Sequence, residues 1–310
     1  MGVQRRGVVV LATGPLALIQ DRGRFGHRHE GVGHSGAADL GAHALGARLL
    51  GNDPDTAAIE ATLGGLCVRA VGRLDIALTG APAPASIDGR AVAHQARLCL
   101  DGGATLTLGV PPAGLRTYVS VRGGFDVPPV LGSRSTDTMS GLGPEPLSPG
   151  DRIPVGAACG PLPDTEHSPR GEHACAPATP QPIELGLLPG PRRDWFTDPD
   201  ALTDGLWQVT DQVDRAGVRL QRADAGSETR ALERAAAYVG RELRSEGMVR
   251  GAVQVPSDGN PVIFLADHPV TGGYPVIGVV ARAAMDRVGQ LRPGDIVRFR
   301  SRFTVAPRPA

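Results

Sequence analysis

The stretch from residue 245 to residue 280, SEGMVRGAVQVPSDGNPVIFLADHPVTGGYPVIGVV, indicates the fold more clearly than any other part of the chain. Two apolar runs rich in β-branched residues, 252–255 and 261–266, flank five residues whose Ser, Asp, Gly and Asn favour a tight reversal. This pattern predicts a β-hairpin. A third apolar run, 276–280, follows the turn Thr271–Pro275, where two adjacent glycines let the backbone approach a neighbour or a ligand closely.

Polar side chains are dense on and around these otherwise apolar strands. They are Glu246, Gln254, Asp267, His268, Thr271 and Tyr274. Because a buried polar group costs free energy unless it is hydrogen-bonded, such a cluster either pairs within the fold or faces a ligand.

Length and charge narrow the class of protein. With 310 residues the chain exceeds the size of a typical single core, so two domains are expected. Its 41% hydrophobic residues are typical of a folded protein, and its formal net charge is zero. The chain has no run of like charge, so its charge pattern does not indicate a nucleic-acid partner or a membrane surface.

All 32 Lys-or-Arg positions are arginine. Coding bias is the simplest cause of this composition, but the chemical consequence is firm. The chain cannot carry a biotinyl-lysine, a Schiff-base lysine or the lysine of a Walker phosphate loop. Any anion that it binds is held by Arg side chains, helix N-termini or backbone N–H groups.

The cysteines and the N-terminus predict a cytoplasmic protein. The four cysteines are widely spaced, without a C-x-x-C pair, and free cysteines are typical of a reducing compartment. The apolar run 8–12 is broken by Gly14-Pro15 and followed by Asp21-Arg22, which favours a first strand over a signal peptide. No apolar segment has the length of a membrane span.

Punctuation by Gly and Pro divides the chain into two mostly β lobes with a few short helices. We predict an N-terminal β-barrel lobe over 1–159, a Pro-rich linker over 160–182 and a C-terminal β-barrel lobe over 183–310. Asp39 is expected to cap a helix that runs to about Leu50, and the pattern over 227–243 predicts a second helix.

A Pro-Gly-Asp turn precedes a short strand near the end of each lobe. The two turns are Ser148-Pro149-Gly150-Asp151 and Arg292-Pro293-Gly294-Asp295. The repeated turn favours a duplicated β fold, although a Pro-Gly turn is common enough to recur by chance.

Two glycine-rich loops of the first lobe carry candidate binding residues. The loop 20–36 holds Asp21, Arg24 and Ser35, and the loop 122–137 places Arg134 among three hydroxyl residues. Arginine beside hydroxyls and free backbone N–H groups suits a carboxylate or a phosphate. A solvated turn and an internal Arg–Asp pair are the structural alternatives for these loops.

General sequence motifs for catalysis are absent. The chain has no Walker loop, no G-x-G-x-x-G that opens a helix, no G-x-S-x-G and no H-E-x-x-H. The eight histidines do not follow metal-ligand spacing, so no metal site is predicted.

Ordered motifs along almost the whole chain resemble one family, which includes allophanate hydrolase subunit 2, biotin-dependent carboxyltransferase-type domains and the C subunit of bacterial ATP-dependent 5-oxoprolinases. They are Gln20–Arg24, Gly33–Asp39, Gly51-Asn52, Glu60–Gly65, Val130–Asp137, Gly190–Phe196, Ser245–Gly247, Gly251–Pro256, Asp258-Gly259 and Thr271–Pro275. Two departures stand out. The segment Val213–Leu220 keeps both Arg residues of a family segment that resembles S-D-R-M-G-Y-R-L but lacks its Ser and its Tyr, and the stretch 221–243 looks longer and more helical than is expected of the family.

The resemblance implies two cyclophilin-like β-barrel lobes. It also implies a complex with a B subunit of related fold and an A subunit, which opens 5-oxoproline to glutamate with hydrolysis of ATP, normally with Mg²⁺. In that complex the B and C subunits would phosphorylate the lactam oxygen, and the A subunit would complete ring opening. The alternatives are a biotin-dependent carboxyltransferase or allophanate hydrolase-type protein that acts on urea-like amides, without covalent biotin on this chain, and a regulatory binder of a signalling kinase.

The matched motifs supply the candidate site residues. Asp21, Asp39, Glu246 and Asp267 are predicted to orient arginines or to transfer protons. The predicted substrate-binding residues are Arg24, Ser35, Arg134, Arg215, Gln254, Thr271, Gly272, Gly273 and Tyr274. For each of them a purely structural hydrogen bond is the alternative to a direct ligand contact.

Overall fold

The structure is a computed structural model that describes residues 5–158, 160–164, 181–223 and 232–301. The chain divides into two compact units, Met1–Ala178 and Thr179–Ala310. The division lies within the predicted linker 160–182, most of which is outside the described residues. The predicted domain boundaries at 159 and 183 therefore stay predictions.

The described strands of the N-terminal unit form two antiparallel sheets. In the first sheet the spatial order is β11 (Arg152–Pro154), β1 (Gly7–Thr13), β4 (Leu66–Val71), β9 (Thr105–Leu108), β6 (Ala85–Ile87) and β7 (Arg90–Ala91). In the second it is β2 (Leu16–Gln20), β3 (Ala58–Thr62), β10 (Arg116–Val121), β5 (Leu74–Gly80) and β8 (Arg97–Leu100). Buried residues of both sheets, such as Val10, Ile19, Val68 and Val119, share one core.

The chain crosses between these two sheets at glycines that pack against one another. Gly14 follows β1 with a φ of 67°, and a Cβ there would lie 1.9 Å from the carbonyl oxygen of Gly64. A Cβ on Gly64 would in turn lie 2.0 Å from the carbonyl oxygen of Gly109. Three of the crossings between the sheets, from β1 to β2, from β3 to β4 and from β9 to β10, thus pass through closely packed glycines, and the two sheets enclose one core.

The helix of the N-terminal unit begins where the sequence predicts. Helix α1 spans Leu40–Leu49, and the carboxylate of Asp39 accepts a hydrogen bond from the backbone N–H of Ala42 at 2.8 Å. This is an N-cap interaction, which satisfies one of the N–H groups that a helix leaves free at its start.

The C-terminal unit contains a closed seven-stranded barrel. The order around it is β12 (Ile183–Pro189), β19 (Val276–Val280), β16 (Ala252–Gln254), β17 (Val262–Phe264), β14 (Gly217–Arg222), β13 (Trp207–Val213) and β20 (Ile296–Ser301). Two short strands, β15 (Glu246–Gly247) and β18 (Thr271–Gly272), form a separate ribbon. Two short helices, α2 (Ala201–Asp204) and α3 (Met285–Val288), complete the unit.

The predicted hairpin lies within this barrel. Val253 pairs with Ile263 and Gln254 with Val262, in antiparallel register. The barrel closes where β12 pairs in parallel with β20. Its interior is apolar and includes the fully buried Trp207, Ile263 and Phe299. The mostly β class with few short helices is therefore confirmed.

The two Pro-Gly-Asp turns have the same hydrogen bonds. The carboxylate of Asp151 accepts from the N–H of Ser148 at 2.7 Å, and that of Asp295 accepts from the N–H of Arg292 at 2.8 Å. Each turn also bonds to one valine of a neighbouring strand: Gly150 donates to Val10, and Gly294 donates to Val209, both at 2.9 Å or less. The repeated Pro-Gly-Asp motif therefore forms the same kind of turn in both units.

The helix predicted over 227–243 is wrong in its described part. Residues 232–243 contain one 3₁₀ turn, Ala236–Tyr238, and residues 227–231 lie outside the described ranges. The N–H of Ala235 donates to the carbonyl of Trp195 at 2.9 Å, so the segment is extended where it pairs with its neighbour. Tertiary pairing has overridden a modest helix propensity. Among the described residues, no helix has the length and apolar character that crossing a membrane would require.

Candidate functional site

In the N-terminal unit, Asp21 joins the two glycine-rich loops that the sequence singled out. One carboxylate oxygen accepts from the N–H of Gly23 at 2.8 Å and from the hydroxyls of Ser133 and Ser135 at 2.7 and 2.6 Å. The other accepts from the N–H of Arg134. We call residues 21–24, 34–36 and 130–137 the Asp21 loop cluster. Asp21 is 5% exposed, so its carboxylate holds the cluster together from within.

Arg24 lies inside the same cluster. It is 1% exposed, and its guanidinium donates to the backbone carbonyl of Ser135 and, at 3.4 Å, to that of Val130. Its own N–H donates to the carbonyl of His34 at 2.8 Å. The side chain therefore connects the two loops through main-chain oxygens. This position orients the loops rather than presenting a cation to solvent.

Arg134 differs from Arg24 because its side chain is 34% exposed. Its Nε donates to the carbonyl of Val127 at 2.8 Å, and Nη2 lies 3.6 Å from the Asp126 carboxylate. Ser35 is buried with a φ of 52°, and its hydroxyl donates to the carbonyl of Thr136 at 3.1 Å. Of these candidates, Arg134 is the one whose cationic group meets solvent.

Asp39 belongs to a buried polar network that sequence reasoning did not find. Besides capping α1, its N–H donates to the hydroxyl of Tyr118 at 2.9 Å, and Tyr118 donates to Glu60 at 2.7 Å. Glu60 lies 3.4 Å from the Arg116 guanidinium, and both are 2% exposed or less. Burial, with the adjacent Glu60 charge, raises the pKa of the Tyr118 hydroxyl well above its ordinary value. Tyr118 is therefore a fixed hydrogen-bond donor at neutral pH.

In the C-terminal unit, Arg215 and Asp267 form a buried ion pair. Nε of Arg215 donates to Asp267 at 2.9 Å and Nη2 at 3.0 Å, which is the bidentate geometry. The two side chains are 2% and 0% exposed. Arg215 was predicted to bind the substrate and Asp267 to orient an arginine or to transfer a proton, and the structure pairs the two in the interior of the unit.

Glu246 lies on the ribbon of the C-terminal unit, at the rim of the barrel. It pairs with Gly272 in the antiparallel ribbon, and its carboxylate accepts hydrogen bonds from Nε of Arg192 at 3.2 Å and from Nη2. The hydrogen bond from Arg192 lowers the pKa of the Glu246 carboxyl below its ordinary value. Glu246 is thus an ionised hydrogen-bond acceptor, partly open to solvent at 27% exposed.

Gln254 connects the barrel to the predicted Thr271–Pro275 turn. Its side-chain amide donates to the carbonyl of Tyr274 at 3.0 Å. A Cβ on Gly272 would lie 2.7 Å from the same amide nitrogen, so glycine is needed for this approach. Thr271 pairs with Gly247, and the Tyr274 ring is 48% exposed.

These contacts join most of the C-terminal candidates on one surface. We call it the ribbon surface and define it as Arg192, Arg234, Glu246, Gln254 and Thr271–Tyr274. Arg234 belongs to it because its guanidinium donates to the carbonyl of Val255, the residue after Gln254. Arg192 and Arg234 were not among the predicted site residues. Arg192 lies within the motif Gly190–Phe196, which supports the family resemblance, so the sequence could have identified it as a candidate. Arg234 lies in the segment interpreted as a helix and gave no signal.

An aromatic group adjoins the ribbon surface. Tyr238 stacks on Trp195 with ring centroids 4.6 Å apart, and its hydroxyl donates to Asp194 at 2.8 Å. This hydrogen bond is the largest cause that raises the pKa of the Tyr238 hydroxyl. The described ranges contain no group of three or more His, Cys, Asp or Glu side chains that could hold a metal ion.

Known proteins resemble this chain over most of its length. The family model described as "Carboxyltransferase domain, subdomain A and B" matches residues 30–301. The chain is 36% identical over 298 residues to the 5-oxoprolinase C subunit of Escherichia coli K12, covering 94% of this chain and 89% of that protein. It is 31% identical to the 5-oxoprolinase C subunit of Haemophilus influenzae, covering 91% and 87%.

Larger proteins match over a part of their length. The urea amidolyase of Saccharomyces cerevisiae is 30% identical over 94% of this chain, which spans 16% of that protein. The crystal structure of TTHA0988 has a TM-score of 0.82 and 30% identity, and this chain covers 57% of its length. The Kluyveromyces lactis urea amidolyase structure has a TM-score of 0.80 and 28% identity, and this chain covers 19% of it. The chain therefore belongs to the family of carboxyltransferase domains with subdomains A and B.

Proposed function

We propose that this chain is the C subunit of an ATP-dependent 5-oxoprolinase, a hydrolase of a cyclic amide that is active only with its partner subunits. One observation carries the proposal: the alignment with the Escherichia coli 5-oxoprolinase C subunit spans 94% of this chain and 89% of that protein. Two chains of the same kind are expected to match from end to end. The partners would be a B subunit of related fold and an A subunit.

The chemistry follows from the inertness of a lactam. Attack of the lactam oxygen on the γ-phosphorus of ATP would release ADP and leave a phosphorylated imidate, whose ring carbon water can attack. Addition of water to that carbon and cleavage of the ring C–N bond would then give γ-glutamyl phosphate, and a second water would hydrolyse this acyl phosphate to glutamate and phosphate. This chain would contribute to the first step by holding the lactam and stabilising its polarised form.

On this chain, the ribbon surface offers groups suited to a lactam. The ionised Glu246 can accept a hydrogen bond from the lactam N–H, and Arg192 fixes the orientation of that carboxylate. Gln254 and the Thr271–Tyr274 turn would position the ring. Asp21, Asp39 and Asp267 accept structural hydrogen bonds, so we assign them positioning roles.

The predicted anion clamps divide in the same way. The side chain of Arg24 is buried against main-chain carbonyls and that of Arg215 is paired with Asp267, so we assign both to positioning. The partly exposed Arg134 is the proposed contact to a phosphate or a carboxylate. ATP and Mg²⁺ are proposed for the assembled complex.

A carboxyltransferase acting on a urea-like amide is the second candidate. It is favoured by the match to urea amidolyase, which covers 94% of this chain. Because the sequence has no lysine, biotin would have to arrive on another chain or domain. A regulatory binder of a signalling kinase would need none of these substrates.

A substrate panel separates these functions. The chain is assembled with its partner A and B subunits, and phosphate release from ATP is measured with 5-oxoproline, with urea and with neither. The proposal predicts a rise with 5-oxoproline alone. Carboxylation of urea in the presence of a biotin carboxylase and biotin carrier would support the second candidate and contradict the first.

A further inference from the structure

Arg234 carries a partly buried charge on the ribbon surface without an ion-pair partner among the described residues. Its Nη2 donates to the backbone carbonyl of Val255 at 3.1 Å. Its Nη1 is buried and donates no hydrogen bond within the described chain. Burial, opposed by the nearby Tyr274, lowers the pKa of the guanidinium below its ordinary value. Folding therefore removes water from this cation, and none of the described residues supplies a carboxylate to it.

Two aromatic rings lie close to the guanidinium. Its central carbon lies 5.5 Å from the ring centroid of Trp195 and 5.4 Å from that of Phe196. These are cation–π distances, and they fix the plane of the guanidinium. The backbone is also held, because Arg234 forms an antiparallel bridge with Phe196 and the next residue, Ala235, donates to Trp195 at 2.9 Å.

The position of Arg234 places it beside the predicted substrate-binding residues. Val255, its acceptor, follows Gln254 directly and donates its N–H to the carbonyl of Pro275 at 3.1 Å. Gln254 donates to the carbonyl of Tyr274, one residue earlier. The guanidinium is thus anchored to the same two segments that form the Gln254–Tyr274 contact.

The other candidate arginines of this unit are already neutralised. Glu246 accepts two hydrogen bonds from Arg192, and Asp267 accepts two from Arg215. Arg234 has the aromatic support and the partial exposure, without the carboxylate. An anion that reaches it from solvent would supply the counter-charge that none of the described residues provides.

We propose that Arg234 recognises the carboxylate of a small lactam acid and so determines specificity for a lactam that bears one. The inference rests on the proposed function and adds the residue that would bind the negatively charged group of the substrate. The guanidinium is a planar donor fork, which suits a carboxylate better than a neutral amide. A substrate without a carboxylate leaves that fork desolvated and unpaired, which disfavours its binding.

The test uses the assembled complex and two compounds, 5-oxoproline and 2-pyrrolidinone, the same lactam without the carboxylate. The variants are Arg234→Gln, which removes the charge, and Arg234→Lys, which keeps the charge and loses the fork. Arg241→Gln is the matched control, because Arg241 is an exposed arginine that lies over the Tyr238 ring at 5.6 Å. Thermal unfolding and size-exclusion chromatography confirm that each variant folds and assembles.

The readout is the ratio of kcat/KM for 5-oxoproline to that for 2-pyrrolidinone, together with calorimetric binding of both compounds. In Arg234→Gln we expect this ratio to fall about 10- to 100-fold, through weaker use of 5-oxoproline with 2-pyrrolidinone unchanged. Arg234→Lys should be intermediate and Arg241→Gln should match the wild type. An unchanged ratio in Arg234→Gln, or equal losses for both compounds, overturns the inference.

Calorimetry separates this inference from the proposed function. If the wild-type complex binds 5-oxoproline without turning it over, the proposed function is overturned. Weaker binding in Arg234→Gln then still supports the role of Arg234. If the wild-type complex binds neither compound, both are overturned.

Discussion

The guanidinium of Arg215 and the carboxylate of Asp267 face each other in the interior of the C-terminal unit, joined by hydrogen bonds of 2.9 and 3.0 Å. The N–H of Asp267 also donates to the carbonyl of Arg215 at 2.9 Å. The pair therefore fixes the turn before β14 to the segment after β17. The arginine that sequence motifs assigned to substrate binding is thus neutralised by the carboxylate that they assigned to orienting an arginine or to proton transfer.

Breaking this pair should destabilise the fold. Asp267→Asn leaves a buried guanidinium without its counter-charge, and we expect the free energy of unfolding to fall by about 3–5 kcal/mol. The double variant Arg215→Met, Asp267→Leu removes both charges and should recover most of that loss. Urea unfolding followed by circular dichroism measures both. Wild-type stability in Asp267→Asn would show that the pair is not a stabilising contact.

Asp21 should matter for the stability of the Asp21 loop cluster. In Asp21→Asn an NH₂ group replaces an oxygen that accepts from N–H or O–H donors, and the charge that strengthens those bonds is lost. We expect the free energy of unfolding to fall by about 2–3 kcal/mol, measured in urea.

The control for this prediction is Asp55→Asn in the same unit. Asp55 lies 3.4 Å from Arg22, but its side chain is 70% exposed. An exposed pair of this kind contributes less than about 1 kcal/mol. If the two variants lose equal stability, the cluster is not organised by Asp21.

How well the sequence predicts a feature of this structure depends on how far apart in the chain the interacting residues lie. The hairpin of β16 and β17 and the Asp39 cap were predicted correctly because hydrophobic pattern, turn residues and capping are local signals. The segment over 232–243 was not, because its extended pairing with Trp195 is a tertiary contact. Local helix propensity carries no information about that partner.

The candidate site shows the same division. Motifs located the ribbon turn, Gln254 and Glu246, and the structure joins them on one surface. Motifs did not distinguish the buried Arg24 from the partly exposed Arg134, since burial depends on carbonyl acceptors more than 100 residues away. Nor did they identify Arg234, whose supporting rings lie across a strand bridge.

His43 should make the N-terminal unit sensitive to mild acid. It is 1% exposed; Nε2 lies 3.0 Å from the carbonyl of Thr56, and Nδ1 is buried without a hydrogen bond to the described residues. Burial is the largest cause that lowers the pKa of this imidazole below 6.5. Near pH 6.5 His43 is therefore protonated more readily in the unfolded chain than in the folded chain. The contribution of the neutral His43 to the free energy of unfolding is full above about pH 6.5 and is lost as the pH falls below that value.

The measurement is the free energy of unfolding from about pH 7.5 to about pH 5.5, a range that spans the ordinary histidine pKa. Relative to wild type, the stability of His43→Gln should fall less steeply as the pH is lowered, because glutamine does not titrate. His29→Gln is the control, since that side chain is 76% exposed. An identical slope in wild type and His43→Gln would rule out this role.

Gly272→Ala should impair activity while the protein stays folded. The new Cβ would lie 2.7 Å from the side-chain nitrogen of Gln254, so that amide must leave its contact with Tyr274. We expect kcat/KM for 5-oxoproline to fall at least about 10-fold, with a small change in thermal stability. The control is Gly247→Ala on the opposite strand of the ribbon, where no atom of the described residues beyond the chain neighbours lies within 4 Å of the new Cβ, so activity should be kept. Equal activities of the two variants would argue against a role for Gln254.

The most direct measurement of the central claim is glutamate formed per ATP hydrolysed, with this chain present or omitted from a mixture of its partner A and B subunits. We predict that the full mixture converts 5-oxoproline to glutamate in step with phosphate release, and that omission of this chain abolishes both. Equal glutamate formation without this chain, or no 5-oxoproline-dependent phosphate release with it, would contradict the claim.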